Sequence, residues 1–235
     1  MNYATMTHSW NDWDTFKAFP FTHQFMTSLF LSQEEFGRVY EGQPVENKKL
    51  MQLFKWMADY RKELSTGKPV KSPRLLVLQG PPARGKTLLT NWYMRSLFGD
   101  VRDVTDLFAG ECSWNPEPEN VKLMVVTAGM VLAELKPWDG AAFSRRVRDY
   151  AMTGRMTFSE KFKKDKHVTL TTRMVATLRD NDVCPWTAKE LGRAGLFLSM
   201  SSAKSSLMPI SYVELKRRIG GELLAFAQWI DTGVV

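Results

Sequence analysis

The chain has 235 residues, 44% of them hydrophobic and 24% charged, with a formal net charge of +7. That size fits one globular domain, or a domain with a smaller appendage, and leaves enough apolar side chains for a sizeable core. No apolar run is long enough to span a bilayer, the N-terminal MNYATMTHSWNDWDTF is not a secretory signal, and two cysteines with three scattered histidines make no metal site.

Without an export signal, Cys112 and Cys184 read as buried thiols rather than a disulfide, and a soluble, cytoplasmic protein is expected. Residues 1–45 are rich in aromatics with weak periodicity and read as short helices and loops. NKKLMQLFKWMADYRKEL is an amphipathic helix, with Leu50, Met51, Phe54, Met57 and Ala58 at helical spacing. In STGKPVKSP, Gly67, Pro69 and Pro73 break regular structure, which marks a linker. The expected division is a helical region over 1–72, a candidate oligomerisation collar, and a second domain over 73–235.

LLVLQ (75–79) has the apolar character of a buried parallel strand. KTLLTNWYMRSLF then reads as a helix with Leu88, Leu89, Trp92 and Tyr93 on one face, stopped by Gly99. Further strands are expected at 121–126, 171–178 and 195–201. GAAFSRRVRDYAM forms a helix between the first two of these, with Phe143, Val147, Tyr150 and Ala151 inward and the arginines outward. The last helix, SYVELKRRIGGELLAFAQWI, carries a candidate bend at Gly220-Gly221. Strands alternating with helices predict an α/β fold with a mainly parallel sheet covered on both faces.

Between the first strand and its helix lies Gly80-Pro81-Pro82-Ala83-Arg84-Gly85-Lys86-Thr87, which matches GxxxxGK[ST] at every fixed position in the required strand–loop–helix context. Glycines let backbone N–H groups curl around a phosphate, and the helix that follows adds unsatisfied N–H groups and the positive end of its dipole. Residues Gly80 to Leu88 are therefore the candidate nucleotide site for ATP. Lys86 reaches the β- and γ-phosphates, and the Thr87 hydroxyl is the candidate Mg²⁺ ligand.

Hydrolysis asks for more. The second strand of such a domain ends in an acid that supports Mg²⁺, often followed by a Glu that polarises water. KLMVVTAGM instead places Thr127 and Ala128 there. The nearest downstream acids are Glu134 and Asp139; upstream are Asp103, Asp106 and Glu111. Glu134 is the candidate for the missing role, with a surface position as its alternative.

Charge is concentrated between Arg145 and Arg173, where nine Lys and Arg face three Asp and Glu, a net of +6. Such a segment attracts phosphate backbones, or is simply a solvated basic surface. Lys161, Lys163, Lys164 and Lys166 fit one side of a short hairpin with Phe158 and Phe162 interleaved. Cations for phosphates and aromatic faces for unstacked bases is an arrangement for single strands. Alternatively, the phenylalanines are core residues of a strand.

Taken in order, these segments resemble the superfamily-three helicases, the AAA+-like ATPases of small DNA viruses, poxvirus-type primase-helicases and phage and plasmid replication proteins. GPPARGKT resembles their phosphate loop, and TGRMTFSEKFKK their basic hairpin, whose lysine contacts single-stranded DNA. MVATLRDND resembles their sensor strand, which implies that Asn181 contacts the γ-phosphate, with Arg179 or Asp180 as alternatives. Arg193, in KELGRAGLFLSM, lies where the family often has an arginine that reaches a neighbour's nucleotide, and ELLAFAQWIDTG is similar to the closing helix. The resemblance covers about residues 47–233. It implies an ATP- and Mg²⁺-dependent motor on single-stranded DNA, assembled as a hexameric ring and working beside other replication proteins. Residues 1–45 are too few for a primase or origin-nicking domain, so those activities are expected elsewhere. Two other classes fit the same loop: a nucleotide-dependent assembly protein such as a helicase loader, favoured by Thr127-Ala128, and a small-molecule kinase, which has no use for a basic hairpin.

Overall fold

The four apolar strand segments form neighbouring parts of one sheet. A computed structural model describes residues 17–41, 47–110, 120–129, 137–158, 166–202 and 211–233. In it β1 (Leu75–Gln79), β2 (Val101–Asp103), β3 (Leu123–Val126), β6 (Arg173–Leu178) and β7 (Gly195–Ser199) make a five-stranded sheet in the order β2-β3-β6-β1-β7. The β2–β3, β3–β6 and β6–β1 pairs are parallel. The fold is the α/β P-loop arrangement expected of the sequence, with the phosphate loop leaving β1. The short strand β2 has no apolar run of its own and was not legible in the sequence.

Strand alternation explains the two layers. Leu75, Val77, Met124, Val126, Met174, Ala176 and Leu178 share one face and pack with Val104 and Phe108 beside helix α5 (Thr105–Ala109) and with Phe143, Val147, Tyr150 and Ala151 of α6 (Pro137–Thr153). All four α6 residues are buried, as the periodicity predicts. Leu76, Leu78, Leu123, Val125 and Val175 point to the other face and are equally buried. The helix after the phosphate loop touches β2 and buries Leu88, Leu89, Tyr93 and Met94. Its first part, Leu88–Met94, is π-helical before it closes as α4 (Arg95–Phe98), and Gly99 ends it at φ 104°. Trp92, expected on the buried face, is only half-buried.

An antiparallel hairpin, β4 (Arg155–Phe158) with β5 (Lys166–Thr169), rises from the end of α6. It is the hairpin expected around the basic segment; Lys161, Phe162, Lys163 and Lys164 lie outside the described residues. Its base is fixed by Gly154, whose N–H donates to Tyr150 O at 2.7 Å and whose carbonyl accepts from Leu170 N at 2.8 Å. Gly154 sits at φ 68°, and a Cβ there would meet Leu170 O at 2.6 Å as well as the Arg74 guanidinium. Left-handed backbone costs an L-residue about 1–2 kcal/mol, and the carbonyl clash adds to it. Gly154→Ala is therefore expected to destabilise the protein by about 2–3 kcal/mol, read as a lowered urea midpoint. An unchanged midpoint would remove this hinge from the account.

Two compact units divide the chain: Met1–Val70 with Ser199–Val235, and Lys71–Leu198. The second holds the phosphate loop, β6, the hairpin and the short helix α7 (Ala188–Leu191). The first gathers α1 (Pro20–Phe30), α2 (Gln33–Tyr40), α3 (Lys48–Thr66) and α8 (Tyr212–Gly233). Asn47 caps α3 by accepting from Leu50 N at 2.9 Å, and Gly67 closes it in the left-handed conformation. Helix α8 runs unbroken through Gly220-Gly221 and groups with the N-terminal helices, whereas the sequence division kept it with the P-loop domain.

Candidate nucleotide site

β1 ends in Gln79, and the chain turns at once into the glycine loop. Ala83 and Gly85 adopt φ 57° and 82°, the left-handed values that curl the backbone so that successive N–H groups face inward. A glycine meets that demand at little cost; Ala83 meets it against its own preference. The helix then starts at Lys86. Lys86 Nζ donates to the carbonyls of Gly80 and, at 2.6 Å, Pro81, which folds the ammonium back over its own loop. Burial pushes the Lys86 pKa down, while the Asp180 and Asp182 carboxylates pull it up. Thr87 is exposed at the start of the helix, with Pro82 and Ala83 also exposed and Pro81, Arg84 and Gly85 half-buried. Leu88 is only 6% exposed, so any contribution it makes to a ligand is through its backbone.

The loop after β6 lies directly beside this site because β6 is the parallel neighbour of β1. Gly80 N donates to Leu178 O at 3.2 Å. The Gln79 side-chain amide reaches three carbonyls of the loop: Asp182 at 2.8 Å, Arg179 at 3.2 Å and Asp180 at 3.5 Å. Asp182 closes the turn on itself, its Oδ2 accepting from Arg179 N at 2.6 Å. Asn181 is exposed at the tip of this turn, with Asp180 beside it. The sensor candidates and the phosphate loop are thus brought together.

β3 ends as the sequence indicates, with Thr127 half-buried and Ala128 fully buried. The acid nearest Thr127 among those named from the sequence is Asp103, at the end of β2: Thr127 Oγ1 donates to its Oδ2 at 3.5 Å. Asp103 is already engaged, accepting from Thr105 N at 2.9 Å and from the Thr105 hydroxyl, which starts α5. Glu111 and Glu134 lie outside the described residues. Arg193 is exposed on the turn Gly192–Ala194 leading into β7, the edge strand beside β1.

The basic segment is less uniform than its composition implies. Arg173 is buried, 2% exposed, with Nη1 donating to Ser72 Oγ at 3.2 Å. Arg146 donates to Phe108 O at 2.8 Å, and Arg148 pairs with Asp149 at 3.1 Å. Arg145 and Arg155 are exposed. Sequence reasoning missed Gln79, Asp182 and Gly129. A polar end to an apolar strand was the one local sign for Gln79; the other two have meaning only through strand order.

The residues present fit a nucleotide: a left-handed glycine loop, a lysine and an exposed hydroxyl open one helix beside a polar turn. Among the described residues no group of three or more His, Cys, Asp and Glu is placed to hold a metal. A divalent cation would therefore be held largely by phosphate oxygens and water, with Thr87 as the protein hydroxyl.

Fold and loop together define a P-loop NTPase-type domain. No protein-family model matches the chain, and no curated protein sequence does. Among solved structures it is similar to the NrS-1 C terminal region, with TM-score 0.58 and 12% identity over 88% of this chain and 48% of that one. A second structure of that region (305-718) gives 0.58 and 12% over 90% of this chain and 45% of the other. The chain thus spans about half the length of the structures it resembles, and at that identity the likeness is one of fold. JCV Helicase is also similar, at TM-score 0.43 and 16% identity over 88% of this chain and 65% of that one, a score too low to bear on function. No helix among the described residues is long and apolar enough to cross a membrane.

Proposed function

We propose that the protein is an ATP-binding P-loop ATPase that moves along single-stranded DNA in the replication of a phage or mobile element, working as a ring. The observation that carries this reading is the junction of β1 and β6. The GPPARGKT loop and the Arg179–Asp182 turn are joined through Gln79, so a nucleotide on Lys86 would lie within reach of Asn181. In such a site Lys86 binds and orients the phosphates, the backbone N–H groups of Gly85 to Leu88 hold their charge, and Thr87 supplies a hydroxyl to the Mg²⁺ that accompanies ATP. Mg²⁺ contributes charge neutralisation at the phosphate oxygens. Arg193, exposed before the edge strand, suits a role in an adjacent subunit's site, and six subunits is the ring size the family resemblance implies. Lys161, Lys163 and Lys164 with Phe162, which lie between β4 and β5 in the sequence, are the proposed grip on the strand.

The test is ATP turnover by the purified chain with and without single-stranded DNA, across a salt series. Stimulation by DNA that fades as salt rises supports the motor, since each neutralised phosphate releases counterions. A second reading rests on Thr127-Ala128, which leave β3 without an acid: a nucleotide-dependent assembly protein such as a helicase loader. ATP binding with no turnover, whether or not DNA is present, favours that reading over the motor.

A further inference from the structure

The end of β3 carries no acid of its own, yet the structure brings one to it. Gly129, two residues after Thr127, is buried, and a Cβ on it would fall on Asp182 Oδ2 and lie 3.0 Å from Asp182 Cγ. The missing side chain at 129 is the space that the Asp182 carboxylate fills. Asp182 is held by three hydrogen bonds, one to its side chain and two to its backbone. Its Oδ2 accepts from Arg179 N, its backbone carbonyl accepts from Gln79 Nε2 at 2.8 Å, and its backbone N–H donates to Arg179 O at 3.3 Å. Gln79 in turn is the residue before Gly80. Asp182 therefore stands between the end of β3 and the phosphate loop, on a turn bonded to Gln79 and close against Gly129.

We propose that Asp182 is the carboxylate that supports the divalent cation of a bound nucleotide, delivered from the turn after β6 into the place where β3 supplies only Thr127 and Ala128. This rests on the nucleotide-binding reading. A carboxylate has about four acceptor positions, and the bond from Arg179 N uses one. The others are available to the water shell of Mg²⁺, which keeps several waters when bound to phosphates. Its attraction to Lys86 is in keeping with that position. Asp103, which the Thr127 hydroxyl reaches at 3.5 Å, is engaged by Thr105 instead.

Asp182→Asn separates charge from structure, because an amide oxygen still accepts from Arg179 N while the negative charge is gone. Gly129→Ala evicts the carboxylate without touching the residue, and no positive φ at 129 opposes the change. Binding of a fluorescent ATP analogue is measured in Mg²⁺ and in EDTA for the wild type and both variants. The wild type is expected to bind at least about tenfold more tightly with Mg²⁺, a difference of about 1.4 kcal/mol. In both variants that gain should shrink to about twofold or less. Asp182→Asn should leave EDTA binding equal or tighter, since a negative charge facing the phosphates has been removed. Either variant keeping the full Mg²⁺ gain overturns the proposal, as does an Asp182→Asn variant weakened equally in Mg²⁺ and EDTA, the mark of a purely structural residue. A wild type that binds no nucleotide in either condition overturns the nucleotide reading as well.

Discussion

Lys86→Ala is expected to weaken ATP binding by about 10- to 100-fold and to reduce any turnover by at least about 100-fold. Charge-assisted hydrogen bonds are worth about 1.5–3 kcal/mol, and loss of one donor to developing charge costs about 10²–10³ in rate. The ammonium now bonds the carbonyls of Gly80 and Pro81, both at the mouth of the loop, so the exchange to phosphate needs only rotation of a flexible stem. Its removal takes that donor from the carbonyls of buried Gly80 and half-buried Pro81, so stability without nucleotide should fall by about 1–3 kcal/mol. Thermal shift separates the two effects. Saturating Mg²⁺·ATP should raise the wild-type Tm, by mass action worth about 2.7 kcal/mol at a hundredfold excess over Kd, and leave the variant nearly unmoved. Equal shifts in both proteins would take Lys86 out of the site.

Phe226→Ala should produce the largest loss of stability, about 3–5 kcal/mol. Phe226 is fully buried and meets Phe19 edge-on at 5.6 Å and Phe54 at 5.5 Å, with Trp229 stacked at 6.0 Å. Those rings come from before α1, from α3 and from α8, so one truncation loosens three sequence-distant segments. Aromatic pairs add about 0.5–1.5 kcal/mol beyond burial. The same unit is tied at its rim by Arg61 to Asp231 at 2.7 Å, a half-exposed pair that contributes far less. Urea unfolding checks the ranking: Phe226→Ala should shift the transition by several times the shift of Asp231→Asn. Comparable shifts would mean that the aromatic cluster does not hold α8.

What the sequence determined by itself is local. Eight consecutive residues specify the phosphate loop because their chemistry lies in consecutive backbone N–H groups, one lysine and one hydroxyl. LLVLQ specifies β1 because a short apolar run before a glycine loop has few other places to go. The inward face of α6 followed from its periodicity, whereas the hairpin was expected from the family resemblance of its basic stretch. Arg173 shows where composition misled: counted with the basic surface, it is the buried first residue of β6, because its place in a buried strand overrides net charge.

The tertiary structure decided the rest, through strand order. Placing β6 between β1 and β3 brings the Arg179–Asp182 turn onto Gln79 on one side and Gly129 on the other, and nothing in the local pattern of those residues encodes it. A glycine after Thr127-Ala128 reads in sequence as a strand end that lost its acids; in space it is the gap an aspartate from the next strand occupies. The C-terminal helix likewise joins α1 and α3 because its ring-bearing face, from Phe226 to Trp229, is buried by the aromatics those segments present. Parallel sheets pair strands that are far apart in the chain, so the residues that complete a site at their ends become neighbours only on folding.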